Sequence, residues 1–86
     1  MQIFFHKNLK KRYKKLPIKV QNKFKERLKL FLIDPYNPLL NNHALYGKWQ
    51  NFRSINITGD MRAIYKPISS QVVEFVLMDS HGNLYN

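Results

Sequence analysis

The hydrophobic period changes halfway along the chain, and that change restricts the fold more than any other feature. In the first half, apolar side chains recur at helical spacing: Leu9, Tyr13 and Leu16, then Val20, Phe24, Leu28, Phe31 and Leu32. Steps of three and four residues put each set on one face of a helix. Pro17 separates the two helices, and Asp34-Pro35 and Asn37-Pro38 end the second. In the second half the period falls to two. From Trp49 to Ile57, Arg53, Ile55 and Ile57 point one way, and Phe52, Ser54 and Asn56 the other. Thr58-Gly59-Asp60 is a turn signal. Met61 to Lys66 predicts a second strand, with Met61, Ala63 and Tyr65 on one face. After a turn at Pro67 to Gln71, Val72 to Met78 predicts a third. Gln2 to Phe5 predicts a short first strand, and Asp79 to Asn86 a polar tail. The expectation is an α+β fold of order β-α-α-β-β-β, with two N-terminal helices on an antiparallel sheet. Residues 1–86 are expected to form a single domain, and the sheet face away from the helices, if left uncovered, is a natural place for a ligand.

Charge is segregated along the same division. The chain has 15 Lys and Arg against 5 Asp and Glu, a formal charge of +10. Eleven of the 15 lie in the first 33 residues, where Glu26 is the only acid. The second half is neutral. The chain is too apolar and aromatic for a disordered basic tail, so the charge belongs to the backs of two amphipathic helices. Such a surface suits a polyanion: RNA, DNA or an acidic protein.

Several classes of chemistry are excluded. There is no Cys, hence no disulfide framework, thiolate zinc site or thiol nucleophile. The three glycines are isolated, so no phosphate-binding glycine loop exists, and no HExxH motif or metal-spaced His/Asp set is present. The expectation is no metal and no cofactor. The apolar runs at Ile3 to Phe5 and Leu30 to Ile33 are too short for a signal peptide or a membrane span, so the expected address is cytoplasmic, without membrane contact.

The polar residues of the neutral half remain: His43, Lys48, Arg53, Asn56, Asp60, Arg62, Asp79, His81 and Tyr85. In a meander, strand ends and strand starts are neighbours, so Arg62, His81 and Tyr85 are expected near one sheet edge. That set suits RNA cleavage by the ribose 2′-OH. The reaction needs a base, an acid for the 5′ oxygen and a cation for the phosphorane. Histidine can serve as acid or base near neutral pH, and Arg offers a forked cation. Simpler roles compete. His6 reads as a strand-end residue, Trp49 as core, Arg62 as a partner of Glu74, and Arg53 as either fold support or a phosphate ligand.

Three motifs join this spacing. They run from His43 through Leu45, Gly47, Trp49, Arg53 and Ser54, then Gly59, Asp60, Arg62, Ile64 and Tyr65, then Ser80, His81, Leu84 and Tyr85. Together they resemble the RelE/ParE superfamily of bacterial toxins, in particular its YafQ-like, RelE/StbE-type branch, over essentially the whole chain. The resemblance implies a type II toxin that cleaves mRNA in the ribosomal (30S) A site without a metal. A cognate antitoxin would neutralise it in a hetero-oligomer. By position, His43, Asp60, His81 and Tyr85 match active-site residues, and Arg62 matches the strand arginine of the YoeB-like branch. Lys10, Lys11, Lys14, Lys48 and Arg53 are the expected RNA and ribosome contacts. The chain departs from the pattern at three positions: Asn56 replaces a second histidine, Met61 a tryptophan and Leu77 an arginine. Two alternatives stay open: a ParE-like gyrase inhibitor, which the joint presence of His43, Asp60 and His81 argues against, and a non-catalytic relative that binds antitoxin or RNA, which the losses at Asn56 and Leu77 favour.

Overall fold

The computed structural model describes residues 1–85, with side chains through residue 84. The elements run β1 (Gln2–Phe5), α1 (Lys7–Lys14), α2 (Ile18–Ile33), β2 (His43–Ala44), β3 (Arg53–Asn56), β4 (Met61–Pro67), β5 (Val72–Ser80) and α3 (His81–Tyr85). Short 3-10 turns at Pro38–Leu40 and Gly47–Trp49 flank β2. The α+β expectation holds, with three differences. A two-residue strand, β2, precedes the meander. The expected polar tail is a fifth strand's end followed by a helix. The sheet is also mixed: its order is β1-β5-β4-β3-β2, and β1 runs parallel to β5.

Each helix starts and stops for a local reason. His6 both ends β1 and caps α1, its Nδ1 accepting from the Asn8 N–H at 3.0 Å. That satisfies one of the orphan donors of the first turn. At the α1–α2 junction, Gln21 Nε2 donates to the Tyr13 and Leu16 carbonyls at 2.9 and 3.1 Å, closing the end of α1 from the start of α2. Pro35 disfavours helical backbone at Asp34, whose φ is −149°.

The core lies between the helices and one sheet face. Leu9, Phe24 and Phe31 from the helices and Leu16 from their junction meet Ile55, Ala63, Tyr65, Val73, Phe75 and Met78 from the strands and Ile57 just past β3. Phe75 is the hub: the rings of Phe5, Phe24, Phe31 and Tyr65 all lie with centroids 5.2 to 6.3 Å from its own. Val73 and Phe75 are two apart, but the next inward residue, Met78, follows after three. The ladder explains this step. Ile64 pairs with Leu77 and Tyr65 with Phe75, so Val76 is the extra residue of a bulge. Leu32 departs from its expected place and is 49% exposed. It sits 100° around the helix from Phe31, and only one of the two can face the sheet.

The second face of the sheet is not bare. Ile64, Leu45 and Leu84 form a small buried cluster there, with Trp49, Phe52, Val76 and Leu77 packed against it. Trp49 is thus a packing residue, as expected. α3 closes part of the face that the alternation left free for a ligand.

Candidate functional site

The second face holds the polar residues of the meander. Asn56, Arg62 and Asp79 are cross-strand neighbours in one row of the ladder. His43 pairs with Ser54, and Ser54 with Ile64, in the next such row. His43 and His81 line one shallow cleft of about 370 Å³ with Ala44, Leu45 and Tyr46. Both histidines are exposed. Chain positions far apart are therefore joined here by β2 at the sheet edge and by α3 folding back over the sheet.

Each histidine is placed by a neighbour, Asn42 for His43 and Asp79 for His81, and of these only Asp79 stands among the polar candidates of the neutral half. Asn42 precedes His43, and its amide is fully used: Nδ2 donates to the Pro35 carbonyl at 2.9 Å and to the Tyr65 hydroxyl at 2.8 Å, and Oδ1 accepts from Arg53 Nε at 2.8 Å. These bonds clamp the incoming loop to the sheet. Burial raises the Tyr65 pKa, and the Asn42 bond and the Arg53 charge offset that in part. The His43 ring is itself oriented, with Nδ1 2.8 Å from the Asn41 carbonyl. A carbonyl can only accept, so Nδ1 carries the proton and neutral His43 keeps its lone pair on Nε2. Asn41 can present that carbonyl because it adopts left-handed backbone, with φ 45°.

Asp79 does the corresponding work for His81. Its Oδ1 accepts from Ser80 N at 2.8 Å, Arg12 Nη2 at 3.0 Å and Asn83 Nδ2 at 3.1 Å. Ser80 Oγ then caps α3, accepting from Asn83 N at 3.2 Å. The His81 N–H donates to the Asp60 carbonyl at 2.9 Å, which joins the start of α3 to the β3–β4 turn. Partial burial pushes the Asp79 carboxyl up, but the Ser80, Asn83 and Arg12 bonds outweigh it and hold its pKa below the ordinary value. The folded state therefore binds this proton less tightly than the unfolded chain. The resulting stability is complete above the ordinary carboxylate range, around pH 4, and is lost as pH falls through the lower folded value. Asp79→Asn should melt at a lower temperature than wild type at neutral pH. That gap should narrow below about pH 4, measured by thermal unfolding across pH.

The remaining expected site residues divide. Asp60 is exposed at the tip of the turn, next to His81 through the backbone bond. Arg62 is committed to the same turn: its Nη1 lies 3.0, 3.3 and 3.2 Å from the Thr58, Gly59 and Met61 carbonyls. Its suggested partner Glu74 instead lies opposite Lys66. Of the expected convergence of Arg62, His81 and Tyr85, Arg62 lies opposite Asp79, two residues before His81, and His43 joins His81 in lining the cleft. Tyr85 ends α3, and its side chain lies outside the described residues. Arg53 is half-buried, bonded to Asn42 and 5.4 Å from the Tyr36 ring centre, so it supports the fold. Lys48 is exposed on the 3-10 turn after the cleft. Lys10, Lys11 and Lys14 are exposed on α1, away from the cleft lining. Among the described residues, no three His, Asp or Glu side chains gather into a group that could hold a metal ion.

No protein-family model matches the sequence, and no curated protein does. Solved structures do match in shape. YafQ from E. coli superposes with TM-score 0.81 at 20% identity, covering 99% of this chain and 98% of that one. The YoeB/ParE toxin from Agrobacterium tumefaciens superposes with TM-score 0.77 at 19% identity, covering 94% and 99%. A chain of the E. coli DinJ–YafQ complex superposes with TM-score 0.72 at 18% identity, covering 99% and 98%. Two helices over a mixed five-stranded sheet, with a histidine cleft on its far face, are thus arranged in this chain on the fold of the RelE/YafQ and YoeB/ParE toxins.

Proposed function

We propose that this protein is the toxin of a toxin–antitoxin pair and that it acts as a metal-independent, ribosome-dependent mRNA endonuclease. The observation that carries the reading is the shared cleft of His43 and His81 on a fold that this chain shares with solved YafQ and YoeB/ParE toxins. The reaction would run as follows. His43 Nε2, left with its lone pair by the Asn41 contact, takes the proton of a ribose 2′-OH. The 2′ oxygen attacks the adjacent phosphorus, and His81 protonates the departing 5′ oxygen. The products are a 2′,3′-cyclic phosphate and a free 5′-OH. Arg62, on the same sheet face, holds the turn that carries Asp60 through Nη1 alone, and its guanidinium charge at that place balances charge on the phosphorane. Tyr85 and Asp60 complete the set. The need for a 2′-OH restricts the activity to RNA.

The partners follow from charge. The exposed α1 lysines match rRNA phosphates, which position a protein without reading sequence. The solved E. coli YafQ was crystallised with DinJ as a toxin–antitoxin complex, which supports an antitoxin partner here. An apolar groove of about 360 Å³, floored by Phe5, Leu9 and Phe24 and rimmed by Lys10, Lys14 and Lys25, suits an acidic amphipathic segment of such a partner.

Primer extension on a translated mRNA tests the activity. Codon-register cuts that require ribosomes support it. Gyrase poisoning without mRNA cuts would replace it with the ParE-type reading. Neutralising Lys10, Lys11 and Lys14 to Gln should flatten the salt dependence of ribosome binding, lowering the slope of log K against log salt by about 2. An unchanged slope would make these lysines a solvated face only.

A further inference from the structure

Beside the histidine cleft lies a second one that the reaction above does not use. It has a volume of about 300 Å³ and is lined by Tyr46, Gln50, Asn51, Phe52, Arg53 and Pro67, together with the strand residues leading into Tyr46. Ala44, Leu45 and Tyr46 line both clefts, so the two lie side by side, and Tyr46 has the one large exposed side chain of the three. It is 82% exposed. The backbone holds it there: Tyr46 is extended, with φ −132° and ψ 177°, and the chain turns at once through Gly47, with φ 66°. Tyr36 is an exposed tyrosine of another kind, since the Arg53 guanidinium already lies over its ring at 5.4 Å. The second cleft's lining has no carboxylate. It offers an aromatic ring, two carboxamides and a cation, and Asn51 is set in left-handed backbone with φ 74°.

We propose that this cleft is a nucleobase subsite, in which Tyr46 stacks on the base next to the scissile phosphate while Gln50 and Asn51 meet its edge. The inference rests on the nuclease reading for which base is bound, but not for whether one is. Base stacking on an aromatic side chain is tolerant of sequence, whereas carboxamides can donate to and accept from a base edge. Tyr46 therefore supplies affinity and placement, and Gln50 and Asn51 supply base preference. A cleft sharing a wall with the reacting centre is where the neighbouring nucleotide of the same strand must go. The basic rim, with Arg53 and with Lys66 lying 5.9 Å from the Phe52 ring centre, favours a nucleic acid strand over an acidic-edged ligand pocket of mixed charge.

The test uses a labelled 2′-O-methyl pentaribonucleotide, which cannot be cut, and the five versions with one abasic position each. Binding is followed by fluorescence polarisation. Tyr46→Ala should bind the intact strand on the order of tenfold more weakly than wild type, and Tyr46→Phe should stay within about twofold. One abasic position should weaken wild type by a similar factor and should weaken Tyr46→Ala no further. Equal binding by wild type and Tyr46→Ala would overturn the subsite, and so would an abasic penalty that survives in Tyr46→Ala. The side chain is mostly exposed, so an unchanged melting temperature checks that folding is not the cause. Primer extension on ribosomes is run in parallel. Tyr46-dependent binding without any cleavage by wild type would leave the subsite standing and sink the nuclease reading. Cleavage with Tyr46-independent binding would do the reverse.

Discussion

His43→Ala and His81→Ala should each slow ribosome-dependent mRNA cleavage by about 10²- to 10⁴-fold, the usual worth of a positioned acid or base. Both side chains are exposed, so neither change should disturb folding. The double variant should be little slower than either single one, because a base and an acid that serve one displacement act as a unit. Their roles can be separated chemically. A substrate with sulfur in place of the bridging 5′ oxygen has a leaving group that needs no proton. It should restore cleavage by His81→Ala and leave His43→Ala slow. The opposite rescue would reverse the assignment drawn from the Asn41–His43 contact. Single variants with wild-type rates on the ribosome would remove the histidine pair from the mechanism.

Phe75→Ala should cost about 3–5 kcal/mol of stability, the range for emptying a buried phenylalanine site. Phe75 is fully buried and, among the described residues, is the one ring in contact with four others, contributed by β1, α2 and β4. Those neighbours belong to different elements and cannot collapse together into the space without moving the sheet. A domain of this size has a total stability of roughly 4–13 kcal/mol, so the variant should be partly unfolded at 37 °C. Urea denaturation followed by Trp49 fluorescence would measure it. Ile33→Ala is the control: the side chain is 83% exposed, and its loss should change stability by no more than about 0.5 kcal/mol. A small effect at Phe75 would mean that the helices do not depend on this contact.

The helical stripes were legible because their cause is local. Leu9, Leu16, Phe24 and Phe31 recur at the helical period, and a helix with one apolar face must bury it. The strand faces were legible for the same reason: Ile55 and Ile57 go to the core and Ser54 and Asn56 to the other side. The α3 helix was missed because Leu84 is its one buried apolar residue among the described side chains, too few to set a period. Its signal was the capping serine, Ser80, whose meaning depends on Asn83 following in helical backbone. The bulge at Val76 and the parallel pairing of β1 with β5 were equally hidden. Both depend on which strand becomes a neighbour, and no residue of β1 states that.

The candidate site divides in the same way. Its residue types could be read directly: two histidines, an aspartate and an arginine in a neutral half, behind a strongly basic first third. Their grouping could not. Arg62 turned inward to its own turn, and His43 came to share a cleft with His81 across the sheet. Asn42 carried no signal and Asp79 only that of a polar candidate, yet they place the two histidines through partners 23 and 67 residues away. By itself the sequence determined the two long helices, the first strand and the meander strands, most of their inward faces and the segregation of charge, because periodicity and composition act over a few residues. Only the tertiary structure decided which histidines share a cleft, which arginine is spent on the fold and which tyrosine lines two clefts. Those outcomes depend on hydrogen bonds and packing between segments that are remote in the chain.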